Sequence, residues 1–457
     1  MRALLISTYE LGRQPFGLAS PAAWLRAAGW DVACVDISRD RLRRDGIERA
    51  DFVGVHLPMH TATRLAGPVI SAVREINPSA RLCAYGLYAP LNADWLRSLG
   101  VDAVFGGEFE EELTRFASVA AALTSGAGND VVPRIHFLVP DRNGLPPLRN
   151  YATLQLGDGR VKITGSTEAS RGCKHLCRHC PVVPVYRGQF RVVPPDVVLA
   201  DIDAQVKAGA EHISFGDPDF FNGPTHAMRL VEALHAAHPD VTYDATIKIE
   251  HLLKHRDLLA GLVETGCAFV TSAVESVDDG VLARLEKGHT RQDFVEAAAL
   301  CRDARLTLVP TFVAFHPWLT LDGYCDLLDC IQDLDLVDHV APIQLAIRLL
   351  IPRGSRLLEL PDIQSLTGSF DAATLAYPWS HPDPRVDVLQ QDVSHMVGVR
   401  TEGDRRTVFG EISALARARA GRPPRPVPPS TTLVAVPYMS EPWYCCAEPN
   451  PDHLALV

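Results

Sequence analysis

The sequence contains no uninterrupted apolar run of about 18 residues, so a transmembrane helix is not expected. Its first residues, MRALLISTYE, lack the hydrophobic core and the small-residue cleavage site of a secretory signal, and they instead resemble a β-strand. We therefore expect a cytoplasmic protein. Basic runs are also missing and the formal net charge is −11, so neither nucleic acid nor a membrane is expected as a partner.

The composition is that of a folded chain with a substantial core. Of its 457 residues, 47% are hydrophobic and 22% are charged, and this balance excludes disorder of the whole chain. At roughly 150 residues per domain, the length predicts two or three domains. No repeat of fixed period is visible.

The 11 cysteines are informative through their spacing. In a long chain without a secretory signal, metal or redox chemistry is expected rather than disulfide pairing. Two groups stand apart, namely Cys173, Cys177 and Cys180 in one short segment, and the adjacent pair Cys445 and Cys446. The others are scattered among apolar neighbours and are predicted to be buried core residues: Cys34, Cys83, Cys267, Cys301, Cys325 and Cys330.

Residues 1–120 alternate between strand and helix patterns. The segments RALLIST, DVACVDI, DFVGVHL, RLCAYGL and DAVFGG predict five strands, and helical stretches such as GPVISAVREINP lie between them. This order predicts an α/β domain with a doubly wound parallel sheet, whose ligands would lie beyond the carboxyl ends of the strands. Residues 121–160 are rich in turn formers and are predicted to be a linker.

Residues 161–350 alternate again. Six strand candidates are VKITGST, HISFGD, VTYDATIKI, AFVTSAVES, LTLVPTFVAF and VAPIQLAIRLL, each with a helical pattern nearby. Six units are too few to close an eightfold barrel, so we expect a partial (β/α)6 barrel with its chemistry at the C-terminal ends of the strands. Residues 351–457 lose the alternation, and the proline-dense stretch GRPPRPVPPS predicts a flexible arm that carries an irregular C-terminal tail.

The segment from Cys173 to Cys180 has the spacing CxxxCxxC. Chance placement of the cysteines would give roughly 0.006 such triplets in a chain of this composition. Zinc would need a fourth ligand, which His175 or His179 could supply. Buried structural cysteines are a further alternative. The favoured interpretation is a 4Fe–4S cluster on three thiolates, whose open iron can bind the amino and carboxylate groups of S-adenosylmethionine (SAM).

This motif, its place after the first barrel strand and the six βα units together resemble the radical S-adenosylmethionine superfamily. The N-terminal sheet and the segment VFGGEFEEEL resemble the cobalamin-binding domain that precedes the barrel in one large subgroup. The tail segment Tyr444–Pro449, YCCAEP, resembles the CUAEP/CCAEP-tail radical SAM (seleno)protein family, in which U is selenocysteine. That family name describes the tail and not a reaction.

The resemblance implies roles for particular residues. Cys173, Cys177 and Cys180 would bind the cluster, and the strand ends would contact SAM or the substrate. The implied strand-end residues are Gly216, Asp217 and Pro218 for the methionine amino group, Lys248 and Glu250 after the third strand, Glu275 and Ser276 for the ribose, and Thr311, Gln344 and Arg348 on the last two strands. The alternative for each is an ordinary polar group that is satisfied by its neighbours.

Cobalamin binding is less strongly indicated. The sheet lacks DxHxxG, the motif that supplies an axial histidine in many corrinoid proteins, although relatives in the subgroup often manage without it. The fourth strand runs into a segment with one glycine, and Tyr85 or Tyr88 could fill the space that a glycine pair leaves for the corrin. His56 and His60 could be axial ligands or simply solvated loop residues. The alternative is a vestigial domain that binds nothing.

The pair Cys445 and Cys446 is the most unusual local feature. Adjacent cysteines cannot easily form a mutual disulfide without strain, and thiolates are soft ligands and strong nucleophiles. The pair could hold an arsenic, selenium or sulfur species, donate a hydrogen atom or an electron, or anchor a substrate covalently. An exposed inert tail is the alternative, but Trp443 and Tyr444 favour docking.

The sequence therefore predicts a radical SAM enzyme that cleaves SAM reductively and acts on a small-molecule substrate, with Cys445 and Cys446 at its active site. Its partners would be that small-molecule substrate and an electron donor such as flavodoxin or ferredoxin. The substrate could be a thiophilic species of arsenic, selenium or sulfur. One alternative is a cobalamin-dependent radical SAM methyltransferase. Another, of a different class, is a non-catalytic protein that binds a metal or metalloid.

Overall fold

The computed structural model describes residues 1–118, 132–398, 405–429 and 436–441. Its N-terminal part is a parallel five-stranded sheet with the strand order β2-β1-β3-β4-β5, as the alternation predicts. The strands are β1 (Arg2–Ser7), β2 (Asp31–Asp36), β3 (Phe52–His56), β4 (Arg81–Tyr85) and β5 (Ala103–Phe105). The helices of this part are α1 (Phe16–Ala27), α2 (Arg44–Glu48), α3 (His60–Ile76), α4 (Ala93–Ser98) and α5 (Glu110–Ser118).

The strands of this sheet are apolar on both faces because helices cover both. Alternate residues of β1 belong to different core clusters, Leu4 on one face and Leu5 on the other. Leu5 packs with Phe52 beside α1, whereas Leu4 packs with Val53 beside α3. This two-sided burial is why the strands are nearly continuous hydrophobic runs in the sequence.

The second sheet has seven strands in the order β13-β12-β11-β10-β7-β6-β14. Five adjacent strands from β13 to β7 are parallel, and β6 and β14 continue the sheet in antiparallel pairing. The strands are β6 (Thr153–Gln155), β7 (Val161–Thr167), β10 (His212–Phe215), β11 (Thr242–Thr246), β12 (Cys267–Glu275), β13 (Leu308–Phe312) and β14 (Tyr438–Met439). A separate hairpin pairs β8 (Ser170–Gly172) with β9 (Phe190–Val192).

Helices follow these strands and cover one face of the sheet. They are α6 (Val182–Tyr186), α7 (Pro195–Lys207), α8 (Pro224–Ala237), α9 (Ile249–Lys254), α10 (Leu259–Glu264), α11 (Asp279–Arg284), α12 (Arg291–Asp303) and α13 (Leu321–Asp333). The C-terminal part adds α14 (Pro361–Leu366), α15 (Pro384–Gly398) and α16 (Arg405–Ala420). Thr320 and Thr290 cap α13 and α12 by accepting hydrogen bonds from backbone N–H groups of the first turn.

The predicted sixth barrel strand is not formed. Residues 340–350 contain a 3-10 turn at Pro342–Leu345, and only Arg348 forms a bridge, with Phe315. Pro342 has no N–H to donate to a ladder, so this run of apolar residues cannot pair along its length. The half-barrel instead widens at its other edge, where β6 comes from the predicted linker.

The described residues of the proline-dense arm pack along α13, whereas the sequence predicted a free flexible arm. Arg422 forms ion pairs with Asp322 and Asp326 of α13, and Arg425 pairs with Asp329. The aspartates recur on one face of α13, so the arm follows that helix. Matching charges so far apart in the sequence cannot be recognised from local composition.

The segment after the arm closes the open side of the half-barrel. Met439 in β14 lies opposite Leu154 in β6, so β14 becomes the edge of the sheet. Val436 and Met439 pack in one cluster with Phe269 and Val309, which come from strands β12 and β13 at the far side of the sheet. The described C-terminal residues therefore seal one end of the concave face.

A buried charge cluster joins the two sheets. Arg171 in β8 forms ion pairs with Glu108 at 3.0 Å, with Glu110 at 2.7 Å and with Glu168 at 2.7 Å. Burial raises the pKa of Glu108 to about 7, although the Arg171 charge opposes this. The first two glutamates belong to the N-terminal part, so Arg171 fixes the half-barrel against the first sheet.

In the part of the chain that the structure describes, a helix with the length and hydropathy of a membrane span is absent.

Replacing Arg171 with Met is expected to lower the free energy of unfolding by about 3–5 kcal/mol, because it leaves buried carboxylates without their cation. Urea denaturation followed by circular dichroism measures the change. The matched control is Arg160→Met, which removes an exposed pair with Asp158 and should change stability little. Equal stabilities of the two variants would contradict the proposed importance of the buried cluster.

Candidate active site

The CxxxCxxC loop begins immediately after the short strand β8. Gly172 has φ +75° and a Cβ at this position would overlap Tyr186 and the backbone of Gln189, so only glycine fits here. Strand β7 ends at Thr167, and the loop crosses its carboxyl end before α6 begins at Val182. Local backbone geometry therefore places the first cysteine at the strand-end edge of the half-barrel.

The three cysteines lie in one short loop and are largely shielded from solvent. Cys173 and Cys177 are buried and Cys180 is partly buried, and no disulfide involves any of them. Cys173 and Cys180 contact the same small apolar cluster, and the Cys180 N–H donates to the Cys177 carbonyl at 3.2 Å. Burial raises the pKa of Cys173. Three thiols within one short loop form a donor set that fits a 4Fe–4S cluster.

The predicted methionine-binding residues follow β10. Asp217 accepts hydrogen bonds from the Ala169 N–H at 2.9 Å and from the Ser170 hydroxyl at 2.5 Å. Burial raises its pKa to about 7, against the opposing effect of the Ser170 hydrogen bond. The Gly216 N–H donates to the Thr167 carbonyl, and Pro218 follows. Asp217 therefore holds β8, and through it the start of the cysteine loop, against the end of β10.

Glu275 joins the fourth parallel strand to the cysteine loop. It has φ +69°, and its Oε1 lies 3.0 Å from His179 Nε2 and 3.3 Å from Lys287 Nζ. Burial alone would raise the pKa of this carboxyl, but Lys287 and His179 overcome it and lower the pKa to about 2. The Ser276 hydroxyl accepts the Asp278 N–H at 3.1 Å. Since His179 belongs to the CxxxCxxC motif, a carboxylate is held directly beside the loop.

The segment after β11 places a second cluster of ionisable side chains beside the same loop. Lys248 is buried and lies 3.5 Å from Glu250. Glu250 lies 3.6 Å from His175 Nδ1, and burial lowers the pKa of His175 to about 4. Asp219 and His251 also belong to this cluster, because Asp219 lies 3.7 Å from His175 and 2.7 Å from His251.

The remaining predicted residues are further along the sheet. Thr311 is buried in β13, and the Gln344 side-chain oxygen accepts the Phe312 N–H at 3.2 Å. Arg348 pairs with Asp387 at 2.7 Å and donates to the Trp379 carbonyl at 2.8 Å. Its guanidinium is thus engaged by the C-terminal part.

Several buried polar atoms around the loop lack a hydrogen-bond partner among the described residues. They are Asn222 Nδ2, His179 Nδ1 and Glu275 Oε2. Buried donors and acceptors are rarely left unpaired in a folded protein, so these atoms fit a polar ligand beside the thiols. Asn222 also lies next to the loop, because its side-chain oxygen accepts the Lys174 N–H at 3.4 Å.

The sheet face that is turned away from the helices is unexpectedly polar. His212, Thr242 and Asp244 form a chain in which each ring nitrogen of His212 has a partner at 2.9 Å. Ser214 donates to the same Asp244 carboxylate. Alternation of polar residues in HISF and TYDAT was the available signal for this face. Lys287, Asp219 and His251 were missed because they become neighbours of the loop only through the fold.

The carboxyl edge of the N-terminal sheet is filled by its own side chains. Tyr85 and Tyr88 are both buried, and the Tyr85 hydroxyl donates to the Gly17 carbonyl at 2.9 Å. His56 lies beneath Gly17, where a Cβ would overlap its ring, and is 3.3 Å from Glu10. His60 Nε2 is 2.7 Å from the Thr374 carbonyl. Both histidines are buried, and the ring of His56 is packed against Gly17.

Cys445 and Cys446 lie outside the described residues, and so do Trp443 and Tyr444. Glu441 is the last described residue before them. It is buried, accepts a hydrogen bond from the Tyr9 hydroxyl at 2.9 Å and forms an ion pair with Arg39. Glu441 therefore lies at the carboxyl edge of the N-terminal sheet.

The free energy of unfolding of the Glu275→Gln variant is expected to depend less on pH than that of the wild type. The folded pKa of Glu275 is about 2, below its ordinary value of 4.5, so its carboxylate stabilises the fold above pH 4.5 and this effect is lost toward pH 2. The difference between these two pKa values corresponds to about 3 kcal/mol in the free energy of unfolding.

Urea denaturation at about pH 5 and about pH 3 measures this effect. The free energy of unfolding should fall less between these two pH values in Glu275→Gln than in the wild type. The exposed Glu264→Gln serves as the control and should retain the wild-type difference. An unchanged difference in Glu275→Gln would argue against the described carboxylate environment.

Part of the chain is similar in sequence to known proteins. Residues 167–330 match the Radical SAM superfamily. The tRNA-2-methylthio-N(6)-dimethylallyladenosine synthase of Chlorobium luteolum is 29% identical over 219 residues, which are 43% of this chain and 46% of that protein. The bacteriochlorophyllide d C-8(2)-methyltransferase of Chlorobaculum tepidum is 25% identical over 210 residues, with 42% and 46% covered. The chain thus spans about half the length of these curated relatives.

Solved structures resemble this chain over both sheets. The cobalamin-dependent SAM radical enzyme OxsB, with aqua-cobalamin bound, superposes with a TM-score of 0.67 at 14% identity, covering 92% of this chain and 71% of that one. The radical SAM methyltransferase TsrM from Kitasatospora setae, with tryptophan and a SAM analogue, gives 0.65 at 15% identity, with 92% and 95% covered. These likenesses concern the fold. Residues 167–330 resemble the Radical SAM superfamily in sequence as well, and a domain of this kind implies a 4Fe–4S cluster and SAM as cofactors.

Proposed function

We propose that the chain is an enzyme that cleaves SAM reductively and uses the product to act on a small-molecule substrate. The observation that carries this proposal is the loop at the end of β7, where three thiols lie beside buried polar atoms that lack partners. A site of this kind offers both soft ligands for iron and hydrogen bonds for a polar cofactor.

In this proposal Cys173, Cys177 and Cys180 hold the cluster. The bound cluster would supply an electron to the sulfonium of SAM and so break a carbon–sulfur bond. Asp217 positions the loop through Ala169 and Ser170. Glu275 remains ionised at neutral pH, so it can accept a hydrogen bond from a hydroxyl of the ligand while His179 and Lys287 hold it in place.

The substrate would lie along the polar concave face of the half-barrel. Ser214, Asp244 and Thr271 point to that face, which suits a substrate that carries hydrogen-bonding groups. Val436 and Met439 seal one end with Phe269 and Val309, so water is excluded from that side. Exclusion of water protects reactive species formed in the site.

An electron donor must reach the cysteine loop from outside. Leu176, between two of the cysteines, has 46% of its surface exposed. We infer that a reductant protein such as flavodoxin or ferredoxin docks on this solvent-facing part of the loop.

Cobalamin-dependent methyl transfer is the second candidate function. It is favoured by the superposition of 92% of the chain on OxsB with aqua-cobalamin bound, and of 73% of the chain on TsrM with cobalamin and a 4Fe–4S cluster bound. The methyltransferase and methylthiotransferase names of the curated relatives point to the same reaction class. Since His56 and His60 are both buried, we expect a corrin to be held without either of them as an axial ligand.

One experiment distinguishes the two functions. The full-length chain is reconstituted anaerobically with iron, sulfide and reductant, and the nucleosides formed from SAM are separated by chromatography with and without cobalamin. We expect 5′-deoxyadenosine without cobalamin, because the cysteine loop suffices for reductive cleavage. S-Adenosylhomocysteine formed only with cobalamin would replace the first proposal with the second.

Cys173→Ala should lose the iron–sulfur absorbance and both nucleoside products. Cys301→Ala is the control because Cys301 is buried in the core of the half-barrel, away from the loop, and should retain both. Wild-type nucleoside formation by Cys173→Ala would refute the assignment of the loop.

We further propose that Cys445 and Cys446 act at the active site, as a ligand for a thiophilic substrate, a covalent anchor or a donor of hydrogen or electrons. The anchoring of Glu441 by Tyr9 and Arg39 supports this role. Three residues separate Glu441 from Cys445, so the Cα of Cys445 can lie no further than about 14 Å from the Cα of Glu441.

The double variant Cys445→Ala/Cys446→Ala is expected to abolish substrate turnover and leave the cleavage of SAM intact, because the cofactors bind elsewhere. Product analysis and nucleoside analysis of the same reaction measure the two activities. The matched control is Cys325→Ala/Cys330→Ala, two buried cysteines of α13. Full turnover by the tail variant would contradict the proposed role.

A further inference from the structure

A second group of potential ligands lies beside the cysteine loop and shares none of its thiols. It consists of His175, Asp219 and His251, each of which offers one ligand atom within 4.8 Å of the others. Asp219 and His251 are buried, and His175 is partly buried. His175 belongs to the loop itself, between Cys173 and Cys177, whereas Asp219 follows β10 and His251 lies in α9.

The side chains of Asp219 and His251 bring two polar atoms together that are not hydrogen-bonded to each other. Asp219 Oδ2 and His251 Nδ1 are 2.7 Å apart, yet neither atom makes a hydrogen bond among the described residues. Asp219 Oδ2 is 3.7 Å from His175 Nε2. Atoms bound to one ion at about 2.0–2.1 Å would be roughly 2.9–4.1 Å apart, close to this spacing.

The other carboxylate oxygen keeps Asp219 in place. Its Oδ1 accepts backbone N–H groups of Phe221 at 3.3 Å and of Lys248 at 3.4 Å. Such outer hydrogen bonds orient the carboxylates of metal sites. The orientation of Asp219 is therefore determined without help from either histidine.

We propose that His175, Asp219 and His251 bind one divalent transition-metal ion, separate from the iron–sulfur cluster. Two imidazoles with one carboxylate suit Fe²⁺, Zn²⁺ or Co²⁺ and disfavour Mg²⁺ and Ca²⁺, which prefer oxygen ligands. Three protein ligands leave open positions on the ion. Since His175 lies within the cysteine loop, the ion would also tie that loop to β10 and α9.

A relay of hydrogen bonds is the competing explanation. His175 Nε2 and His251 Nε2 are 3.3 Å apart, so a proton could pass along Asp219, His251 and His175. The relay needs no metal, and the absence of a hydrogen bond between Asp219 Oδ2 and His251 Nδ1 argues against it.

The test uses the full-length chain with Cys173, Cys177 and Cys180 all replaced by Ala, so that no cluster is present. Titration with Co²⁺ should show one bound equivalent by its visible absorption, without the sulfur-to-cobalt charge-transfer band of a thiolate site. In this background His251→Gln and Asp219→Asn should each raise the Co²⁺ dissociation constant by more than about 100-fold, beyond the usual effect of an outer-shell change.

His255→Gln is the matched control, because this histidine packs against His251 but offers no ligand to the group. Its affinity for Co²⁺ should equal that of the parent. Circular dichroism checks the fold of each variant. If the triple variant does not fold, bound cobalt per chain is measured in the reconstituted wild type, and His251→Gln should abolish it.

Unchanged Co²⁺ affinity in both ligand variants would overturn the proposal, as would the absence of a bound equivalent in the folded parent. A thiolate charge-transfer band would also overturn it, because the ion would then be held by cysteines elsewhere. None of these readouts involves SAM, so the result is independent of the proposed activity.

Discussion

The arrangement of this protein depends on one guanidinium that has been removed from water. Arg171 is shared by Glu108, Glu110 and Glu168, and the cost of burying these charges is offset only when all of them meet. Arg171 is also separated from Cys173 by a single glycine. The interaction that joins the two sheets therefore determines where the cysteine loop begins, and any displacement of one sheet against the other would move the thiols.

Sequence patterns predicted the two sheets because each strand carries its own local signal. The five N-terminal strands and the first five barrel strands are apolar or alternating runs between turn residues, and the structure forms all of them. The sixth barrel strand had the same apolar signal, but Pro342 interrupts its pairing. The docked arm could not be predicted, since Arg422 and Asp322 are 100 residues apart and meet only after both elements have formed.

The candidate site shows the same division. The spacing of the three cysteines indicated the loop, and the resemblance to radical SAM proteins implied Asp217 and Glu275 at strand ends, where the structure has them. Asp219, His251 and Lys287 carried no comparable signal, because their neighbours come from different βα units. At the N-terminal sheet, the prediction that Tyr85 or Tyr88 fills the edge agrees with their burial, whereas His56 is covered by Gly17 and not solvated.

The pairing of β14 with β6 has a consequence for biosynthesis. Thr153 and Ser440 are hydrogen-bonded although 287 residues separate them, and Tyr9 and Glu441 are 432 residues apart. During synthesis on the ribosome, nearly all strands of both sheets emerge early. Residues 436–441, which contact both sheets, emerge late. A nascent chain would thus expose the unsealed end of its half-barrel until residues 436–441 emerge, and premature termination before them would leave two nearly complete domains with an open cavity.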